Sequence, residues 1–572
     1  MTRDDAATPP PYLPDRLRIA VFSGATATIQ NTEPLITSDQ ARSRRGLPLK
    51  GAGFDGLRAQ RLAAPVTVYI EAFSAHPLER DAAELYAPPD GWVDGAGTFH
   101  REQQSPEDVP VHEAVLSPSD GLYLLPYMAR QADGSAWDGS CSQPGANAAR
   151  ARQTFFPDAS RLLEEIDRFG LDDTGQNRLL SRNADFTFIR AAPSGGYTRG
   201  LPAAERTDLG EGDIPPEERG EDFYYYSPRH LAHGPAMPTL AKLTNVVQET
   251  LRTQAYDGAI WLEGSPVAEE TTYWLSLLID TTIPLCGNSS QRPHGALSND
   301  GDRNIVDSVA YIRSNIWSDD QGRDCIGPVM VQEEQVFTAR DVQKADARPG
   351  GYVATGGHGG IVATIGAPGD PMLTFRPSRL HTYRSAVNLS RLPSAVTGVR
   401  AAGGEISLVD VPVKDGDGRL LASAIPKVTL SKYARYAMED YSDDPAQEVE
   451  IASRVARNLK RFPLAGFVLE GNSPFGRADE SMTAALQAAV FSGMPVVCVG
   501  RGNAEGMVPA APGSMLLAGS NLTATKARML LMACLLRFGS TPPSANPLRP
   551  TAREREAVTA HLAAFQQVFD TH

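Results

Sequence analysis

From residue 224 onward, short apolar runs alternate with segments whose apolar positions recur every three or four residues. The runs at 258–262 and 283–286 read as strands buried on both faces, and 240–253 and 268–279 read as helices. Parallel strands need crossovers of about a dozen residues, and helices supply them, so the rhythm predicts an α/β fold with doubly wound, mostly parallel sheets. Strands at 17–22, 223–226, 327–331 and 337–342 extend the pattern. It resumes with a strand at 466–469, a helix at 480–492, a strand at 495–499 and a helix at 523–538. We therefore expect two α/β domains, 17–390 and 426–572, after a Pro-rich disordered tail at 1–16. Residues 391–425, with Gly-Gly and Asp-Gly-Asp-Gly turns, read as a connector. The stretch 43–218 is rich in Gly, Pro and Asp, has short apolar runs at 66–70 and 122–125 and one helical pattern at 158–169, and reads as a large insertion in the first domain.

Composition narrows the partners. A net charge of −14 leaves no excess of Lys and Arg to neutralise a phosphate backbone, so nucleic acid is not expected. No apolar run reaches the roughly 20 residues of a membrane helix, and the first residues lack the apolar core of a secretory signal, so a cytoplasmic protein is expected. The five cysteines, Cys141, Cys286, Cys325, Cys498 and Cys534, form no C-x-x-C pair and fit a reducing compartment.

Open parallel sheets bind ligands beyond the C-terminal ends of their strands, and three such ends carry a pattern. Ser23-Gly24-Ala25-Thr26 closes the first strand. Glu263-Gly264-Ser265-Pro266-Val267-Ala268-Glu269-Glu270-Thr271 follows the strand at 258–262. Cys286-Gly287, Arg292-Pro293 and Ser298-Asn299-Asp300-Gly301 with Asn304 follow the next, and Ala339-Arg340-Asp341-Val342-Gln343-Lys344 comes after these. In order, they resemble the T-G-G-T, H-G-T-D-T-x-E-E-T, G-A-M-R-P/S-A-D-G and A-R-D-V-T-K blocks of the L-asparaginase/glutaminase family. Gly466-Phe467-Val468-Leu469-Glu470-Gly471-Asn472 and Gly519-Ser520-Asn521-Leu522 running into Lys526-Ala527-Arg528 are similar to that family's C-terminal blocks.

The resemblance implies hydrolysis of a linear carbon–nitrogen amide bond without a cofactor. A threonine hydroxyl attacks the amide, ammonia leaves, and water hydrolyses the acyl-enzyme. It assigns the nucleophile to Thr26, with Thr28 as the nearest rival, and the assisting hydroxyl and ammonium to Ser265 and Lys344. Substrate binding falls to Ser227, Glu263, Gly264, Thr28 and, from a neighbouring subunit, Glu505, since family members assemble as homodimers or homotetramers. This sequence departs at two places. Pro266 stands where the family has an aspartate and supplies neither carboxylate nor N–H. No tyrosine lies between Thr26 and Tyr69, where the family has its lid tyrosine. The substrate is therefore expected to be an amide other than plain L-asparagine. Glu263, in place of the family histidine, is a candidate partner for Lys344 or for the substrate amine.

Plainer readings stand beside these. Ser265 before Pro266 is an ordinary helix-cap arrangement. Glu263 could form a simple salt bridge. His230 and His233 lack a third metal ligand, and no metal is assigned. Gly356-Gly357-His358-Gly359-Gly360 lacks the Lys-Ser/Thr of a phosphate loop and reads as a turn. A non-catalytic binding or regulatory homologue and an ammonia-supplying amidotransferase-type subunit are the competing functions.

Overall fold

The computed structural model describes residues 17–24, 90–94, 98–108, 236–291, 300–348, 350–355, 360–366, 370–402, 405–434, 449–473, 475–501, 508–509 and 513–572, together with the backbone of six further strands between Leu57 and Ile189. The first domain is built on β1 (Leu17–Ser23), β2 (Ala184–Ile189), β3 (Gly258–Leu262), β4 (Leu285–Asn288), β5 (Val329–Gln332) and β6 (Gln335–Thr338). A hairpin of β7 (Val342–Lys344) and β8 (Tyr352–Ala354) follows, then β9 (Ile361–Ile365) and β10 (Pro371–Leu373). The eight-stranded sheet runs β10-β9-β6-β5-β4-β3-β1-β2. From β2 to β5 all pairs are parallel, and from β5 to β10 they are antiparallel.

Side chains of β1 alternate between two cores, as a strand's period of two requires. Ala20 and Phe22 face the layer of α1 (Ala236–Arg252) and α2 (Val267–Leu278), packing with Val247, Trp261 and Trp274. Ile19 and Val21 face α3 (Gly301–Ser314), packing with Ile260, Val309 and Ile312. Helices on both faces explain why β3 and β4 are buried along their whole length.

After the hairpin of β11 (Ala395–Ala402) and β12 (Glu405–Pro412), the second domain contains β13 (Lys427–Lys432), α4 (Val449–Arg461), β14 (Ala465–Gly471), α5 (Glu480–Phe491), β15 (Val496–Gly500), β16 (Leu517–Ala518), α6 (Ala524–Phe538) and α7 (Ala552–Thr571). Its four strands are parallel in the order β13-β14-β15-β16. Helix α6 packs on α2 and is buried from Met529 to Leu536, so one apolar cluster runs from Trp274 through Leu530 to Phe565. Polar groups cross this seam. The buried Lys526 ammonium donates to the carbonyls of Glu269 at 2.5 Å and Ala339 at 2.6 Å, Arg528 pairs with Glu270 at 2.5 Å, and Arg340 donates to Asn521 Oδ1 and the His572 carbonyl at 2.8 Å each.

Three differences from the sequence reading have physical causes. Strand β2 lies inside the span read as an insertion, yet it pairs in parallel with β1 from Leu17–Ala184 to Phe22–Ile189. Its Asp-Phe-Thr-Phe core lacks the continuous apolar run of a central strand because it stands at a sheet edge. The segment read as a connector contains the β11–β12 hairpin, whose Val396, Val399 and Val411 join the shared core. The run 337–342 splits into β6 and β7, where Thr338 Oγ1 donates to Asp341 Oδ2 at 2.8 Å and closes a turn. The strand expected at 223–226 and the helix expected at 158–169 lie outside the described residues.

Candidate active site

The parallel strands end together at one mouth. Beyond them, Gly24 N donates to the Leu262 carbonyl at 2.8 Å and Glu263 N donates to the Asn288 carbonyl at 3.1 Å, so the chain continues side by side past the formal strand ends. A Cβ at Gly24 would stand 2.5 Å from Glu263 Cδ, so only glycine lets the glutamate lie across the end of β1. The Glu263 carboxylate is buried and accepts the Trp261 indole N–H at 2.9 Å.

Ser265 and Gly264, both half-buried, follow at the start of α2. Ser265 does not cap this helix, whose first turn has no side-chain cap. Its Oγ instead accepts a hydrogen bond from Tyr352 Oη at 2.8 Å, and the same phenol lies 3.0 Å from Ser289 Oγ at the end of β4. Burial, chiefly, raises the Tyr352 pKa, against the lowering effect of the two serines, so the phenol stays protonated at neutral pH and acts as a donor.

Lys344 faces Tyr352 directly across the β7–β8 hairpin, and its ammonium lies 5.2 Å from the phenol ring centroid. Three acceptors surround the ammonium: Gln291 Oε1 at 2.6 Å, the Arg348 carbonyl at 2.5 Å and the Gly350 carbonyl. The Lys344 backbone N–H donates to Glu269 Oε2 at 2.6 Å, which ties the hairpin to α2. Burial is the main cause lowering the Lys344 pKa, with Asp346, Asp300 and Glu333 opposing it. The buried Glu269 has its pKa raised by the same desolvation while Lys526 and the Lys344 N–H pull it down.

A buried polar network aims these groups. The Asp300 carboxylate accepts Ser290 Oγ at 3.0 Å, Gln332 Nε2 at 2.9 Å and Gln291 N at 3.2 Å, and so sets the Gln291 side chain on Lys344. Asn304 donates to Gln332 Oε1 and to the Ser289 carbonyl, both at 2.9 Å, which holds the β4 and β5 ends together. Each buried polar group here is satisfied by another, the condition under which such a network rigidifies a site.

Of the residues assigned from sequence, Ser265 and Lys344 come together through Tyr352, and Glu263 and Gly264 lie on the same loop. Thr26, Thr28, Ser227 and Glu505 lie outside the described residues, as do His230, His233 and His358. Among the described residues, the Lys344 ammonium bonds to Gln291 and the hairpin carbonyls, and no ion pair joins it to Glu263. No group of three or more His, Cys, Asp or Glu side chains with metal-holding geometry occurs among them. Sequence reasoning missed Tyr352, Ser289 and Gln291. Pro349-Gly350-Gly351 marks a turn in the sequence, while the register that sets Tyr352 opposite Lys344 comes from the hairpin itself.

Residues 236–362 match the model of the family described as asparaginase, N-terminal. A glutaminase-asparaginase of Acinetobacter glutaminasificans is 24% identical over 226 residues, which is 38% of this chain and 65% of that protein. A glutaminase-asparaginase of Pseudomonas fluorescens biotype A is 27% identical over 176 residues, 31% of this chain and 46% of that protein. The chain thus spans less than two thirds of the length of these relatives. A solved structure of a probable cytoplasmic L-asparaginase from Campylobacter jejuni aligns at 16% identity and a TM-score of 0.43, covering 68% of this chain and 93% of that one. The matched segment contains β3 to β8 with Glu263, Ser265 and Lys344, its motifs follow one another in the family's order, and over this segment the chain is similar to the asparaginase family.

Proposed function

We propose that this protein hydrolyses a carbon–nitrogen amide bond, with Thr26 as the nucleophile and Ser265 and Lys344 assisting. The Thr26 hydroxyl attacks the amide carbonyl while its proton is taken up within the Ser265–Lys344 group. The C–N bond then breaks as the leaving nitrogen receives a proton, and water releases the acid from the acyl-enzyme. One observation carries this reading: Ser265 and Lys344, far apart in sequence, meet at the strand ends through a single buried phenol. Ser265 Oγ accepts from Tyr352, so its own O–H remains available to a substrate or to Thr26. Desolvation lowers the Lys344 pKa, with Asp346, Asp300 and Glu333 opposing it.

Pro266 leaves no carboxylate at the position where the family has its aspartate, so we propose that the substrate is an amide other than plain L-asparagine. Glu263 and Gly264, with Ser227 and Thr28, would line its binding site. Glu505 from a neighbouring copy would complete it in a homodimer or homotetramer, and the setting would be cytoplasmic. The test is ammonia release from a panel of amides by the full chain and by Thr26→Ala. Loss of at least about 10³-fold in kcat is expected, and a Thr26→Ala variant as active as the parent would refute the nucleophile. A second reading, a non-catalytic binding homologue, draws support from the Lys344 ammonium, whose three N–H groups each have a protein acceptor. It predicts no ammonia from any amide.

A further inference from the structure

We infer that Tyr352 is a positioning residue for the hydrolytic reaction: its phenol holds Ser265 Oγ as an acceptor, beside Pro266, which supplies no polar side-chain atom. This rests on the amidohydrolase reading above and adds a residue and a role to it.

Four observations converge. The Tyr352 hydroxyl donates to Ser265 Oγ at 2.8 Å, within the usual range for O–H···O bonds. Ser289 Oγ stands 3.0 Å from the same oxygen, so the Ser289 O–H can donate to the phenol while the phenol donates to Ser265. This orders three hydroxyls and leaves the Ser265 proton as the one not committed among the described residues. The ring is 8% exposed and is held by the hairpin, with the Lys344 ammonium on its face, so the donor is fixed rather than rotating in water. Finally, Pro266, the residue after Ser265, offers no side-chain polar atom and no N–H, which leaves the phenol as the side-chain donor to Ser265 among the described residues.

The consequence is electrostatic. When the Ser265 O–H passes its proton toward the leaving nitrogen or toward Thr26, negative charge grows on Oγ, and a preorganised phenol donor stabilises it. The bond between Tyr352 oxygen and hydrogen does not break. Ser265 gives its proton to the leaving nitrogen and takes up the one released by Thr26; when water attacks the acyl-enzyme, Ser265 takes the water's proton and returns one to the Thr26 oxygen. The charged or titratable groups facing the phenol are Lys344 across the hairpin, Glu269 from α2 and Asp300 from the start of α3.

The test compares the parent, Tyr352→Phe, Ser265→Ala and the double variant as full chains, measured by ammonia release on the best amide of the panel. Tyr352→Phe should lower kcat by 10- to 100-fold with KM within about threefold. In the Ser265→Ala background the same change should cost less than threefold, because the hydroxyl it serves is gone. A Tyr352→Phe kcat within threefold of the parent, or an equal loss in both backgrounds, overturns the inference while the amidohydrolase reading stands. A parent that releases no ammonia refutes that reading, and this inference falls with it. Should Tyr352→Phe fail to fold, a difluorotyrosine at position 352 keeps the ring and hydroxyl but loses its proton at lower pH. Its kcat should fall on the alkaline side where the parent's does not, and superimposable pH profiles overturn the inference.

Discussion

The hairpin at the mouth of the first sheet and the seam between the two domains are each organised around a lysine, in different surroundings. Lys526, at the seam, is 1% exposed, donates to two backbone carbonyls, lies 5.3 Å from the Tyr273 ring, and has its pKa pushed down to about 8, chiefly by burial. Lys344, at the mouth, is half-buried, bonds to a glutamine side chain and two hairpin carbonyls, and is shifted in the same direction. Ranked by perturbation alone, Lys526 would be the functional candidate. Its neighbours argue otherwise: the seam offers it carbonyls and an aromatic face, whereas Lys344 faces a phenol bonded to a serine. Burial shifts a pKa whether or not chemistry follows, and the groups within reach distinguish a staple from a participant.

The largest expected effect separates the two lysines. Lys344→Met should lower amide hydrolysis by about 10²-fold or more with little change in unfolding midpoint. Lys526→Met should cost about 3 kcal/mol of stability by orphaning two buried carbonyls, and it should retain kcat per folded molecule. Denaturant titration alongside active-fraction assays measures both, and a folded Lys526→Met with lost kcat would break the distinction. A comparable effect should appear in the pH dependence. The folded pKa of Lys526 lies below its unfolded value near 10.5, so between about 8 and 10.5 the unfolded chain binds more protons. The cost of burying the charge is fully present below about 8, and stability should rise with pH across that window, by about 3 kcal/mol at most. The parent should show this rise and Lys526→Met should not; identical slopes would assign the rise to other groups.

A smaller effect sharpens the lesson on the far face of the sheet. Asp324 is fully buried, accepts the N–H groups of Ile326 at 2.9 Å and Gly327 at 3.0 Å through one oxygen, and has its pKa raised to about 7, mainly by desolvation. Here the sign reverses. A raised folded pKa contributes stability that is present below the unfolded value near 3.8 and is lost as pH rises through about 7. Asp324→Asn should therefore gain on the parent by about 2 kcal/mol between pH 5 and pH 8.5 with catalysis unchanged, as read from chemical denaturation at the two pH values. A flat difference would mean that the carboxylate is ionised throughout.

Much of the frame was legible beforehand. The strands at β3, β14 and β15 and the helices α2, α5 and α6 stand within a few residues of where the apolar periodicity set them, because a parallel strand covered on both faces must be continuously apolar. Helices α3 and α7 were not anticipated; the Thr551–Glu554 capping box of α7 was a signal available in the sequence. Ser265 and Lys344 were singled out by motif. Tyr352 was not, because its importance lies in standing opposite Lys344, and hairpin register depends on how the turn closes.

What the sequence determined by itself was the alternation of strands and helices in much of its second half, the resemblance to the asparaginase family, and the residue types at the strand ends, since these follow from local periodicity and from motifs carried within short segments. Tertiary structure decided which hydroxyl meets which phenol, which lysine holds the domains together, and that a strand in the apparent insertion completes the first sheet. Those outcomes depend on contacts between residues far apart along the chain, which become neighbours only when the sheet, the hairpin and α6 pack together.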